Sequence, residues 1–565
     1  MKCINPPSAV VNPFSAVVKC SEQYQSGESI YCQFDITNHH CVDYHVLKWH
    51  TPLEGMTSKY LSVTRDDRAL PYDGMLVKWG NPSAREYLLI RAGTTVSSII
   101  DISLAYAMNV TGLYTVQLKT NLKYYRETHD TDFMNTQLHK QTLESTLATF
   151  QLIGGGAPKK TMGEHVRQHA STSITKRNAG VGLPPDPRFV GGTAAERALT
   201  KEIHRTSYHY ISAAEDDIDD NQAHYISWFG VVDAGRIQQV KQNFHDMQNS
   251  LEQEIYTYHF NDPRCIPNVY AFTFPDVQDI YLCDKYGHSE NVLGVDTKLC
   301  TIVHELSHAV SHTEDHVDGR QDCLDLATND PAMAISNGDN YCYFAETTNI
   351  FDYGFDSIAR LPNKRTYVTR GNVYIRYSDS SASTINGGYP ALLKGSWGDL
   401  PDNFHAGFDS MVTLPNGKIY VTKGSQYVRY SDSSAITLDS GYPAQLLFSW
   451  GNLPADFSTG FDSAAVLPND KTYVTSGNQY IRYSDNNAIS VDSGYPSSLQ
   501  GNWGNLPTSF ADGFDSMALL GNGKTYVTKS KQYIRYSDSS GTEIDPGYPV
   551  PIKGNWGTIH FPGPQ

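Results

Sequence analysis

His304-Glu305-Leu306-Ser307-His308 is the segment with the most specific chemical content. Two histidines at i and i+4 stand one helical turn apart on one face, close enough to share a metal ion, and the glutamate between them can polarise a metal-bound water. The opposite face carries Ile302, Val303, Leu306, Ala309 and Val310, so the segment reads as a buried helix whose polar stripe must be satisfied internally. A catalytic zinc needs a third protein ligand and a fourth position open to water. Asp315, seven residues past His308, is one candidate, and Asp339 and Glu346 in NGDNYCYFAE (337–346) are rivals. On spacing alone the choice stays open.

The elements that must position this helix follow from the rest of the chain. Its 565 residues are 39 % hydrophobic and 12 % aromatic, a folded composition. Lys+Arg 44 against Asp+Glu 60 gives a net charge of −16, which argues against nucleic acid as a partner because phosphate binding needs a basic field. No apolar run approaches about 18 residues, so no membrane span is expected. Residues 1–153 alternate in short runs such as SIYCQFDI, EYLLIRA and LYTVQLKT, and are expected to form an antiparallel β-sandwich. Residues 154–187 are poor in apolar side chains and read as a mobile linker that proteases can reach, through Lys159, Lys160, Lys176 and Arg177. Beyond it, Thr193 and Glu196 form a capping pair, a second helix aligns Ile237, Val240, Phe244, Met247 and Leu251, and IYTYHF, NVYAFTF and DIYLCD are strand candidates. The region 188–350 is therefore expected to be α+β.

The C-terminal 352–565 is repetitive. Phe-Asp-Ser recurs at Phe355, Phe408, Phe461 and Phe514, each 53 residues after the last, and Tyr-Val-Thr, Arg-Tyr-Ser-Asp, Tyr-Pro and Trp-Gly share the period. A unit of this size with several short strands is a propeller blade, so a four-bladed β-propeller is expected. Phe-Asp-Ser at the start of a unit with Gly-Tyr-Pro and Trp-Gly at its end resembles hemopexin repeats. That resemblance implies a protein, matrix or haem ligand, and a channel ion, Ca²⁺ or Na⁺, ringed by the backbone of Asp356, Asp409, Asp462 and Asp515. No cysteine is present there to tie the first blade to the last.

The long metzincin motif requires Gly at 311 and His at 314, where this chain has Ser311 and Glu314. Instead, HELSH, then Thr-x-Asp with Gly319 four residues on, then Asn-x-Asp-x-Tyr-x-Tyr-Phe-Ala-Glu, resembles the aspzincins, the deuterolysins and peptidyl-Lys metalloendopeptidases. The resemblance implies Zn²⁺ held by His304, His308 and Asp315, with Glu305 as general base, and it makes 1–153 a proregion. It also implies a lysine-binding role for Asp339 and a disulfide between Cys265 and Cys283. The chain departs from the pattern at Asp318, where a transition-state tyrosine is expected, at Cys342, where a second lysine-binding acid is expected, and at His312, which replaces a glycine and could compete as a ligand.

Nine cysteines, four in the first 41 residues and five between Cys265 and Cys342, suggest two stapled regions made in an oxidising compartment. Cys323 and Cys342 are candidates to pair, and Cys300 reads as a small core residue. The N-terminus has prolines at 6, 7 and 13 and no clean apolar stretch, so secretion without a recognisable signal peptide is expected. These readings describe a secreted zinc-dependent endopeptidase acting on proteins or peptides, with Lys preferred on the carboxyl side of the cut bond (P1′) and a propeller for targeting. The alternative is a binding protein that works through its propeller and carries a degenerate peptidase domain.

Overall fold

The structure, a computed structural model, describes residues 12–128, 132–154, 156–169 and 183–561. Cys3, residues 1–11 of the N-terminus, and the part of the linker holding Lys176 and Arg177 lie outside the described residues. The chain divides into two compact units. One comprises Met1–Glu196, Asn221–Ser289 and Cys300–Phe344, and the other Arg197–Asp220, Glu290–Leu299 and Ala345–Gln565. Among the described residues no helix is long and apolar enough to cross a membrane.

In the first unit, a three-stranded sheet (Phe14–Cys20, Tyr31–Asn38 and Thr95–Asp101) shares a core with a larger sheet built on the long strand Gly112–Arg126. Alternation along that strand sends Tyr114, Val116, Leu118, Leu122 and Tyr124 inward against Phe34 and Ile36. One short strand departs from this arrangement. Leu76–Trp79 is buried on both faces and pairs antiparallel with Val269–Thr273 in a third sheet, ordered Arg188–Val190, Thr257–Phe260, Asp279–Leu282, Val269–Thr273, Leu76–Trp79. The expectation that all strands before 153 close among themselves is thus corrected.

The linker reading also needs correction. Met162–His169 is a helix, opened by Thr161 and Glu164 in reciprocal side-chain-to-backbone hydrogen bonds. Arg167 anchors it with a fork onto both Asp73 carboxylate oxygens (2.8 and 2.7 Å) and a hydrogen bond to the Pro275 carbonyl. The cysteines differ too. Cys265 is bonded to Cys283 and Cys20 to Cys32, but Cys342 is bonded to Cys300, leaving Cys323 a buried thiol. Cys300 is not simply a core residue: it opens the HELSH helix on the side facing the helix that carries Cys342.

The second unit holds four four-stranded sheets, one per 53-residue repeat. The repeated Trp and Phe form the joints. Trp397 packs edge-on against Phe408, Trp450 against Phe461 and Trp503 against Phe514, and the last, Trp556, packs against Phe355 of the first repeat. The Tyr377 hydroxyl donates to the Trp556 carbonyl (2.7 Å), repeating what Tyr430 does to Trp397. Ring contacts thus join the ends where a disulfide is absent. Asp356, Asp409, Asp462 and Asp515 play one shared part. Each accepts through its carboxylate from a hairpin-turn amide, that of Gly371, Gly424, Gly477 or Ser530. Helix residues 197–220 belong to this unit: Asn372 donates to the Glu202 carbonyl and Lys531 pairs with Asp216 and Asp220.

Candidate metal centre

The helix Lys298–Ser311 buries His304, Glu305 and His308 almost completely. It stops at His312, whose backbone is left-handed (φ 53°), a conformation that glycine enters freely and that terminates helices. The chain then doubles back. Glu314 N donates to the Ser336 carbonyl, Gly338 N to the Glu314 carbonyl, and the Asn337 side chain accepts from the amides of His316 and Val317. This stitching carries Asp315 under the two histidines. His312 itself points away to pair with Asp276, so it is no rival ligand. Glu346 accepts from Thr297 N.

Among the described residues, His304, His308 and Asp315 form a group able to hold a metal ion. The Asp315 Oδ1 lies 3.3 Å from His304 Nε2 and 3.1 Å from His308 Nε2, and the two Nε2 atoms are 2.9 Å apart. Tetrahedral zinc with bonds of about 2.0–2.1 Å places its donor atoms roughly 3.3 Å from one another, so this triangle fits the ion. The outer nitrogens each face an oxygen, as is common for ligand histidines. The His308 Nδ1 is 2.8 Å from the Thr313 carbonyl, which can only accept, so its proton sits on Nδ1 and Nε2 keeps a free lone pair. The His304 Nδ1 lies 2.8 Å from Asp339 Oδ1. Gly338 supplies clearance: a Cβ there would come 2.7 Å from His308 Cε1 and 3.2 Å from His304 Cε1.

Charge in the site is arranged for a cation. Burial works against the Asp315 carboxylate, but His308 and His304 hold it well below its usual range. Burial dominates at Glu305, lifting its carboxyl to about 8, and neither of its oxygens has a hydrogen-bond partner. An orphaned carboxylate this deeply buried is costly unless a polar group meets it, and a water on the metal is such a group.

Asp339 is as busy as the ligands. Besides His304, it receives Gly319 N (2.8 Å) and the ammonium of Lys78 (2.7 Å). Asp318 is paired with His50, not with either metal-binding histidine. Lys78 and His50 carry no motif signal, because they lie more than 200 residues before the acids they pair with, Asp339 and Asp318. Asn337 and Gly338 fall in the NGDNYCYFAE segment, but nothing in their type points to support of the ligand loop.

Residues 213–346 match the Aspzincin_M35 family model, described as lysine-specific metallo-endopeptidase. An extracellular protease of Aeromonas hydrophila is 28 % identical over 311 residues, spanning 54 % of this chain and 84 % of that protein. A peptidyl-Lys metalloendopeptidase of Armillaria mellea is 24 % identical over 313 residues, 52 % of this chain and 81 % of that one. Human vitronectin is 29 % identical over 190 residues, 32 % of this chain and 37 % of its own length. With a matched peptidase domain and these relatives, the chain is an enzyme, a zinc metalloendopeptidase. The reading of a binding protein with a degenerate peptidase domain falls.

Proposed function

We propose that this chain is the latent form of a secreted endopeptidase that cuts proteins on the amino side of lysine, with His304, His308 and Asp315 as its zinc ligands. The donor triangle of these three side chains beside an orphaned Glu305 is the observation that carries the reading. When bound, zinc supplies an activated water and polarises the scissile carbonyl. Glu305 would take the water's proton at a carboxylate oxygen and pass it to the departing amine. Thr313 and Asp339 keep the ligand rings oriented. The strand Val269–Thr273 offers an edge along which an extended substrate can pair, and buried Asp339 supplies the negative charge that a substrate lysine needs.

The three disulfides fit an extracellular setting. The four repeat sheets, joined Trp-to-Phe around to the first, are read as a four-bladed hemopexin-like propeller whose role is to bind a protein or matrix target, with Ca²⁺ or Na⁺ in its channel. Residues 1–153 act as the proregion. Metal analysis of the purified chain, with mapping of cut sites in a peptide library after limited proteolysis of the segment before 188, tests the proposal. One zinc per chain and cuts before lysine are expected; a chain that binds no zinc and cuts nothing refutes it.

A further inference from the structure

The strand Leu76–Trp79 comes from the N-terminal β-rich region, yet it lies along the outer edge of the catalytic sheet. It pairs antiparallel with Val269–Thr273 in the register Leu76 to Thr273, Val77 to Phe272 and Lys78 to Ala271. Extended, antiparallel and on an exposed sheet edge is how a peptide is gripped by strand addition. Its neighbours are the site itself, since Val77 N donates to Asp315 Oδ2 at 3.3 Å. The next residue, Lys78, is fully buried, with Nζ 2.7 Å from Asp339 Oδ1. The ammonium also stands 5.3 Å from the ring centre of Tyr343 and 5.7 Å from that of Tyr270. Burying a lysine is expensive unless its charge is met. Here it is met by one carboxylate and two aromatic faces, all on catalytic segments.

We propose that Leu76–Trp79 is a built-in substrate mimic, with Lys78 filling the lysine pocket of the enzyme's own cleft and so keeping the uncut chain latent. The inference rests on the lysine-directed reading above and deepens it, because the occupant reveals the pocket. Asp339 provides the charge, and Tyr270 and Tyr343 provide ring faces that attract a cation. This answers the loss of the second acid: Cys342 is committed to the disulfide with Cys300, and the ring of its neighbour Tyr343 stands over the ammonium instead. Tyr270 and Tyr343 are thereby specificity-determining residues.

The test uses the full zinc-loaded chain, wild type and Lys78→Met, before and after limited proteolysis removes the segment preceding 188. Hydrolysis of a quenched peptide with a single lysine is followed. The uncut Lys78→Met chain is expected to be at least about tenfold faster than uncut wild type, since the mutation deletes one partner of a buried ion pair, while the two cut forms match. Independently of whether the variant folds, acetyl-Leu-Val-Lys-Trp-amide should compete for the cut wild-type enzyme at least about tenfold better than its Met analogue. The proposal is overturned if uncut Lys78→Met stays as slow as uncut wild type while its cut form turns over, or if the two tetrapeptides compete equally. Cut wild-type enzyme that hydrolyses peptides but ignores lysine removes the lysine-directed reading first, and this inference with it.

Discussion

His50 Nε2 and Asp318 Oδ2 lie 2.6 Å apart, in a contact between the N-terminal β-rich region and the loop that carries Asp315. Burial opposes the imidazolium charge, but Asp318 overcomes it and raises the His50 pKa above 6.5. A raised folded value means that the pair's contribution is fully present below pH 6.5 and is lost as pH rises through the raised value. The N-terminal region should therefore be held more firmly in mild acid. Limited proteolysis of the uncut chain should accelerate with rising pH, and His50→Phe should flatten that dependence; an unchanged profile in the variant would show that the His50–Asp318 pair does not hold the N-terminal region.

Glu305→Gln preserves size and metal ligands but cannot accept a proton. Turnover by the cut enzyme should fall roughly 10²–10⁴-fold with zinc content unchanged. Asp315→Ala should instead release the metal, because two histidines make a weak site. Metal analysis separates the two outcomes, and zinc retained at full occupancy by Asp315→Ala would show that the third ligand is another residue.

Gly338→Ala tests the clearance around the ligands. Its methyl group would sit 2.7 Å from His308 Cε1. Displacing one ligand ring should weaken zinc binding by about 10–100-fold, measured by chelator competition, with little change in overall fold by circular dichroism.

His209, on the helix Ala194–Asp220, is partly exposed, but its Nε2 is enclosed and has no hydrogen-bond partner among the described residues. Burial, aided by the charges of Arg370 and Lys423, depresses its pKa from 6.5 to about 3. The unfolded chain takes up a proton near 6.5 and the folded one resists until about 3, so stability is whole above 6.5 and declines as pH falls through that window. The unfolding midpoint of this unit should drop between about pH 7 and 5, and His209→Met should reduce the drop.

Trp556 closes the repeats by packing on Phe355, 5.1 Å between ring centres. Trp556→Ala should cost about 3–5 kcal/mol by calorimetry or denaturant unfolding. Deleting residues 352–565 in part should be worse than its length suggests, because it bares strand edges. A Trp556→Ala protein as stable as wild type would mean that the end-to-end joint carries no stability.

By itself, the sequence determined what depends on local periodicity. The i, i+4 spacing placed His304 and His308 on one helix face, and the 53-residue period set four equivalent repeats, each of which folds as one four-stranded sheet. Asp315 was legible only with the help of a family resemblance, since spacing left Asp339 and Glu346 open. The tertiary structure decided every partnership made across long separations. Leu76–Trp79 has no alternation that would mark one buried face, and nothing local says which edge it joins; it joins Val269–Thr273. Cys342 is expected from the sequence to pair with Cys323, and the fold brings it instead to Cys300, 42 residues away. The family resemblance implies a lysine-binding role for Asp339, and the fold also sets it against His304 and Lys78. The reason is physical: a pattern of apolar and polar residues fixes which face of an element is buried, whereas the identity of the neighbour depends on the packing of the whole chain.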